Sequence, residues 1–132
     1  LSVLSEEFAQ CVAHQTDKIV FITDREKVIA AAGDGLKGIV GKEISHSLER
    51  ILDDRDESLP LAERSRFSPV IESMDGADEM KKVEQVRQMI RSNGQIIGSI
   101  IIQSKDPKYK VGEFEKKVAM VAAEFLGKQI TI

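Results

Sequence analysis

The sequence lacks the features that mark secreted, membrane and nucleic-acid-binding proteins. It has one cysteine, Cys11, among 132 residues, so no disulfide can form within the chain, and we expect a reducing, cytoplasmic setting. No apolar run approaches the roughly 20 residues that a membrane-spanning helix needs, so we expect no membrane association. The formal charge is −3, from 22 acidic and 19 basic residues. Because basic residues are not in excess, we expect residues 1–132 not to bind nucleic acid directly.

Residues for metal binding or catalysis are also scarce. His14 and His46 are the two histidines, and neither lies near a second ligand-type residue at a metal-binding spacing. Cys11 falls on the apolar stripe of a predicted helix, where we expect a small core side chain rather than a nucleophile. The acidic residues in 53–57 lack the glycine and regular alternation of an EF-hand and are typical of a solvated helix end. We predict no enzyme, no metal and no cofactor.

The most informative segment lies in the last third of the chain. Asn93-Gly94 separates two strand-like runs, and both residues tolerate the positive φ of a primed hairpin turn. The return strand, Gln95–Ile102, is almost continuously apolar, which predicts a central strand covered on both faces. Gly98 interrupts this run; it either relieves crowding where a helix or a ligand approaches the sheet, or it permits extra twist.

The remaining periodicities predict an α+β fold. The predicted elements are a helix to about His14, strands over 18–23 and 27–32, a helix after Ser45, a loop-rich segment over 59–80 with a short strand near 67–72, a hairpin over 82–103 and a helix from about Gly112. A central antiparallel sheet of about five strands would carry the N- and C-terminal helices on one face and a helix and loop lid on the other. This order favours a GAF-like sensor domain over a PAS domain.

Both terminal helices have an apolar stripe that we expect to face the sheet. The stripes comprise Leu1, Leu4, Phe8, Cys11 and Val12 in the first helix, and Phe114, Val118, Val121 and Phe125 in the last. Their outer sides could pair with a second copy of the chain in a symmetric dimer. For this predicted oligomer interface we select Leu4, Phe8, Leu126 and Ile130, of which the last two are expected to lie off the main face.

Several motifs, in order along the chain, resemble the C-terminal GAF domain of the stage V sporulation protein T family. They are Thr23–Glu26, Gly41–Ser45, Leu48–Arg50, Asn93–Gly94, Ser104–Asp106 and Ala122–Leu126. The resemblance implies a transcription regulator of spore-forming bacteria, in which an AbrB-type DNA-binding domain precedes a domain that senses an unidentified small molecule and assists oligomerisation. Because the first residue is Leu1, we expect residues 1–132 to be a single regulatory domain of a longer protein that contacts DNA elsewhere.

Arginines bracket the predicted lid, and guanidinium groups can hold a carboxylate or phosphate through two hydrogen bonds. Arg55, Arg64, Arg66 and Arg87 are the candidates, with the alternative that they are exposed and paired with nearby acids. We select Arg66, Ser68 and Arg87 as predicted ligand-binding residues. The leading hypothesis is a ligand-sensing domain. The alternative is an oligomerisation module whose cavity is closed by its own side chains.

Overall fold

The computed structural model of the protein describes residues 2–33, 38–53, 70–71, 83–106 and 108–130. The elements are α1 (Ser2–Thr16), β1 (Ile19–Thr23), β2 (Val28–Ala32), α2 (His46–Asp53), β3 (Gln85–Ser92), β4 (Gln95–Gln103) and α3 (Glu113–Ile130). The described residues contain one antiparallel sheet of four strands, in the order β2-β1-β4-β3, rather than about five strands. The predicted strand near 67–72 lies mostly outside the described residues, and its described part, Val70 and Ile71, forms a bend.

Two tight turns set the register of the sheet. Asn93 and Gly94 join β3 to β4 with φ values of 53° and 78°, the left-handed pair that a primed hairpin turn requires. At the β1 to β2 turn, the Asp24 carboxylate accepts hydrogen bonds from the Glu26 and Lys27 backbone N–H groups, both at 2.7 Å. Both predicted hairpins are therefore confirmed.

β4 is the central strand that its sequence predicts, because it pairs with β1 on one side and β3 on the other. Ile100, Ile101 and Ile102 are all fully buried. Alternate residues of the sheet define two faces. The helix face carries Val20, Ile22, Ala30, Val86, Ile90, Ile100 and Ile102. The lid face carries Ile19, Phe21, Thr23, Gln85, Arg87, Met89, Ser99, Ile101 and Gln103.

The terminal helices cover the helix face, α1 over β1 and β2 and α3 over β3 and β4, but α3 is rotated from its predicted orientation. Phe114, Val121 and Phe125, predicted to face the sheet, are 57%, 67% and 40% exposed. The residues that α3 buries are mostly small: Glu115, Ala119, Ala122, Ala123, Leu126 and Gly127. The prediction failed because it gave the inward position to the largest side chains, whereas this helix lies too close to the sheet for them.

Backbone proximity explains two glycines. A Cβ added to Gly127 in α3 would lie 2.1 Å from the Arg91 carbonyl oxygen, so helix and strand contact each other without an intervening side chain. A Cβ added to Gly98 would lie 2.0 Å from the Thr23 carbonyl oxygen. Gly98 is therefore a crowded position, but the crowding group is the end of the neighbouring strand β1 and not the helix or ligand that was expected.

A similar rotation applies to α1. Its buried residues are Ser5, Ala9, Val12 and Thr16, at helical spacing. Leu4 and Phe8 are half-buried, and Cys11 is exposed, so the prediction of a core cysteine is wrong. Leu126 was expected off the main face of the last helix, but it is 1% exposed and points from α3 into the core. Among the described helices, none is long and apolar enough to cross a membrane.

Candidate functional site

The lid face differs from an ordinary core in having polar side chains at both ends of an apolar centre. Phe21 and Ile101 lie side by side at the centre, and both are fully buried. At one end the Thr23 and Ser99 hydroxyls form a hydrogen bond of 2.7 Å. At the other end lie the side chains of 85, 87 and 103. A mainly apolar floor with a few placed polar groups is the usual composition of a small-molecule site.

The polar end of β3 and β4 is a chain of hydrogen bonds. Arg87 Nη1 donates to Gln85 Oε1 at 2.6 Å, and Gln85 Nε2 donates to Gln103 Oε1 at 3.1 Å. Burial lowers the pKa of Arg87 from its usual value to about 10, because desolvation penalises the charged form. A group with that pKa keeps its proton at neutral pH, so the chain begins at a half-buried positive charge.

Gln103 ends this chain with one group unsatisfied. Its side chain is fully buried, and its Nε2 atom has no hydrogen-bond partner among the described residues. Buried polar atoms are nearly always paired in folded proteins, so an orphan amide donor calls for an explanation.

Helix α2 covers the centre of the lid face. Ser45 begins the helix as its N-cap, because its Oγ accepts a hydrogen bond of 3.0 Å from the Leu48 N–H. The Ser45 N–H in turn donates to the Val70 carbonyl oxygen at 2.7 Å. Leu48 and Leu52 are 0% and 1% exposed and pack with Val70, Phe21 and Ile101 in one cluster.

Arg25 fastens α2 to the sheet. Its Nη1 donates to the Ile96 carbonyl oxygen at 2.9 Å, and its Nη2 pairs with Asp53 at the end of α2. One side chain of the β1 to β2 turn thus contacts both the covering helix and the central strand. The sequence offered only a weak signal for this contact, an arginine in a tight turn and an aspartate at a helix end.

An open groove of about 520 Å³ lies outside this layer and is mainly charged. Its lining residues are Glu26, Lys42, Glu43, Ile44, His46, Glu49 and Ile71. No group of three or more side chains that could hold a metal ion occurs within the described ranges.

Nearly the whole length of the sequence matches a protein-family model. Residues 1–131 match the family described as stage V sporulation protein T C-terminal, transcription factor. The chain belongs to this family. It is also 32% identical over 130 residues to stage V sporulation protein T of Bacillus subtilis strain 168, covering 98% of this chain and 68% of that protein.

Two solved structures resemble this stage V sporulation protein T C-terminal domain and identify its fold. The cofactor-binding GAF domain of the nutrient sensor CodY from Clostridium difficile aligns with a TM-score of 0.67 at 13% identity, over 95% of this chain and 83% of that one. The inducer-binding domain of the PobR transcription factor from Acinetobacter, in complex with 3-hydroxybenzoic acid, aligns with a TM-score of 0.55 at 13% identity, over 93% and 95%. The predicted GAF-like α+β fold is confirmed.

The predicted site residues of this family member fall in different places. Arg87 lies on the lid face, whereas Arg66 and Ser68 lie outside the described residues. On the other side of the sheet, Leu4 and Phe8 are half-buried on α1, and the Ile130 side chain lies outside the described set. Gln85 and Gln103 were not predicted as site residues, because their polar character within a β hairpin gave no sign that both are buried.

Proposed function

We propose that this domain is a regulatory sensor in which a small molecule binds over the lid face and its presence is relayed to a DNA-binding domain elsewhere in the protein. The domain has no catalytic role and acts in the cytoplasm. The observation that carries the proposal is the lid face itself, where buried hydrogen-bonding groups flank an apolar floor. The fold supports the proposal, since the two GAF-like neighbours are named for a bound cofactor and a bound inducer.

The contacts of α2 suggest how occupancy is relayed. A molecule between α2 and the sheet would displace Leu48 and Leu52, which pack there directly. Arg25 would carry the movement to the β1 to β2 hairpin, because it holds the end of α2. Helix α1 lies against that hairpin, so a change in it would reach the N-terminal end of the domain. By the family resemblance, the AbrB-type DNA-binding domain precedes that end.

A thermal-shift screen of anionic, neutral and cationic metabolites tests the sensor. A ligand present at one hundred times its dissociation constant adds about 2.7 kcal/mol of stability, which raises the Tm of a domain this size by roughly 10 °C. Arg87→Met should reduce the shift, whereas Arg91→Met, the same substitution at an exposed position of β3, should not. A screen in which no class of compound shifts the Tm would overturn the sensor and favour a domain closed by its own side chains.

A second function, assembly with another copy of the chain, is favoured by the outer stripe of the terminal helices. This stripe consists of three exposed side chains, Phe114, Val121 and Phe125, and three half-buried ones, Leu4, Phe8 and Val118. The rings of Phe8 and Phe125 stack at 4.9 Å and join α1 to α3 along it. Leu126 is 1% exposed and faces the core, so it is not included in this stripe. An exposed apolar stripe across two helices suits a symmetric dimer, in which each copy covers the stripe of the other.

Sedimentation of single variants tests this assembly. Val121→Glu places a charge in the middle of the stripe and should convert dimers to monomers at micromolar concentration. Met120→Glu is the matched control, because Met120 is also apolar and 41% exposed but lies about 100° further around the helix. A wild-type chain that sediments as a monomer at high micromolar concentration would exclude the assembly.

A further inference from the structure

The chain of hydrogen bonds at the polar end of the lid face has a fixed direction. A guanidinium only donates, so the Gln85 oxygen must face Arg87, as the 2.6 Å contact shows. Gln85 therefore turns its Nε2 towards Gln103, and the Gln103 oxygen accepts at 3.1 Å. Reversing either amide would bring two donors face to face, so Arg87 determines the orientation of both glutamines.

Because of this direction, Gln103 is the last residue in the chain of hydrogen bonds, and its remaining group is a donor. Its Nε2 points away from Gln85, is buried and has no acceptor within the described parts of the chain. The nearest lid-face residues along and across the strands are Ile101 and Ile19, whose side chains have no acceptor atoms. The group that satisfies this N–H must therefore come from outside the described residues.

The positive charge of Arg87, at the start of this chain of hydrogen bonds, indicates which acceptor is preferred. The Arg87 cation polarises each amide in the same sense, with oxygen towards the charge and N–H away from it. The terminal N–H is thereby a stronger donor than that of an isolated amide, and ionised acceptors form the stronger bonds. The apolar floor formed by Phe21 and Ile101 suits a ligand whose remaining surface is hydrocarbon.

We propose that Gln103 Nε2 donates to the carboxylate of the ligand, and that the domain senses a small carboxylic acid with an apolar body. This inference rests on the sensor function proposed above and narrows it to a ligand class. Arg87 and Gln85 act as positioning residues, because they orient the Gln103 amide.

The direct test observes the Gln103 side-chain amide by NMR in the isotopically labelled chain. The probes are isobutyrate and benzoate, each compared with its neutral primary amide and with an amine of the same carbon skeleton. Gln103→Glu identifies the side-chain signal by removing it. We expect the carboxylates to shift this signal downfield in a saturable manner, and the amines to leave it in place.

The variants provide a separate readout. Gln103→Glu replaces the donor by a negative acceptor and should weaken carboxylate binding about tenfold or more, since a hydrogen bond to a charged group is lost. Gln95→Glu is the matched control, because Gln95 lies on the same strand but is exposed. It should leave the affinity unchanged. If Gln103→Glu does not fold, the wild-type signal still decides the question.

The outcomes separate the two proposals. Saturable carboxylate binding with a shifted Gln103 amide supports both. If amines or neutral compounds bind and raise the Tm while the Gln103 signal stays in place, the carboxylate assignment is wrong and the sensor function stands. If a crystal grown with millimolar benzoate shows only water on Gln103 Nε2, the ligand class is likewise wrong. If no class of compound binds, the sensor fails and the assignment fails with it.

Discussion

The two faces of the sheet bury similar apolar strands by different means. On the helix face, α3 approaches so closely that a glycine meets a strand carbonyl and alanines fill the interface. On the lid face, the part of the cover that the structure describes is a short helix with connecting segments, and polar side chains are buried among the apolar ones. The first arrangement fixes backbones against each other. The second leaves hydrogen-bonding groups on the face to which the proposed sensor function assigns the ligand.

The largest expected effect is on the helix face. Gly127→Ala would place a Cβ 2.1 Å from the Arg91 carbonyl oxygen, so α3 would have to move away from β3. Overpacking of this kind costs about 3 kcal/mol, and the better helix propensity of alanine offsets about 1 kcal/mol. We expect urea denaturation to show a net loss of roughly 2 kcal/mol with an unchanged m value.

The control for this substitution is Lys117→Ala, at an exposed position of the same helix outside the outer stripe, which should change stability by less than about 0.5 kcal/mol. Equal stability of Gly127→Ala and the wild type would mean that α3 is not held against the strand, and the contrast between the faces would disappear.

A smaller loss is expected at the hydroxyl pair of the lid face. Thr23→Val leaves the buried Ser99 hydroxyl without the partner it has at 2.7 Å, which costs about 1–2 kcal/mol. Adding Ser99→Ala removes the stranded hydroxyl, so the double variant should be more stable than the sum of the single losses predicts. Strictly additive losses in chemical denaturation would show that the two hydroxyls do not depend on each other.

The sequence predicted those parts of the fold that local signals determine. The Asn93-Gly94 turn, the apolar β4 strand and the Ser45 cap each follow from a short stretch of adjacent residues, and all three are present. The orientation of the terminal helices could not be predicted, because it depends on the distance between helix and sheet. Hydrophobic periodicity favours Phe125 as an inward residue, whereas close packing requires Gly127 and alanines there.

The candidate site was only partly predictable for a related reason. Arg87 drew attention as a possible anion ligand, and it lies on the lid face. The role of Gln85 and Gln103 depends on cross-strand pairing between residues 18 positions apart. That pairing becomes visible only when the hairpin register is known, because a shift of one residue would move both side chains to the other face.

The anchoring of α2 to the sheet by Arg25 can be tested by substitution. The pair with Asp53 is largely exposed, with side chains 44% and 58% accessible, so Arg25→Ala should cost only about 0.5–1 kcal/mol. The effect should be local: hydrogen exchange should accelerate in α2, whereas α1 and α3 should be unaffected. Lys27→Ala, with an exposed side chain in the same turn, is the control. Uniform acceleration across all three helices would show that Arg25 supports the whole domain rather than α2.

The smallest expected effect is the pH response of Glu84, which joins the start of β3 to the segment before α3. The Val111 N–H donates to its carboxylate at 2.9 Å and Lys110 lies at 3.0 Å, and these contacts lower the pKa of Glu84 below its usual 4.5. A carboxyl group whose pKa is lowered by folding stabilises the folded state. This contribution is complete at a pH above the pKa of the unfolded state and is lost as the pH falls through the lower pKa of the folded state.

Glu84→Gln should therefore narrow the stability difference between pH 7 and pH 3, whereas Glu7→Gln on the exposed side of α1 should not. Because Glu84 is partly exposed, 0.5 M salt should reduce the effect of the Lys110 contact and leave that of the Val111 hydrogen bond. An equal response of both variants to acid would show that the segment before α3 is not anchored through Glu84.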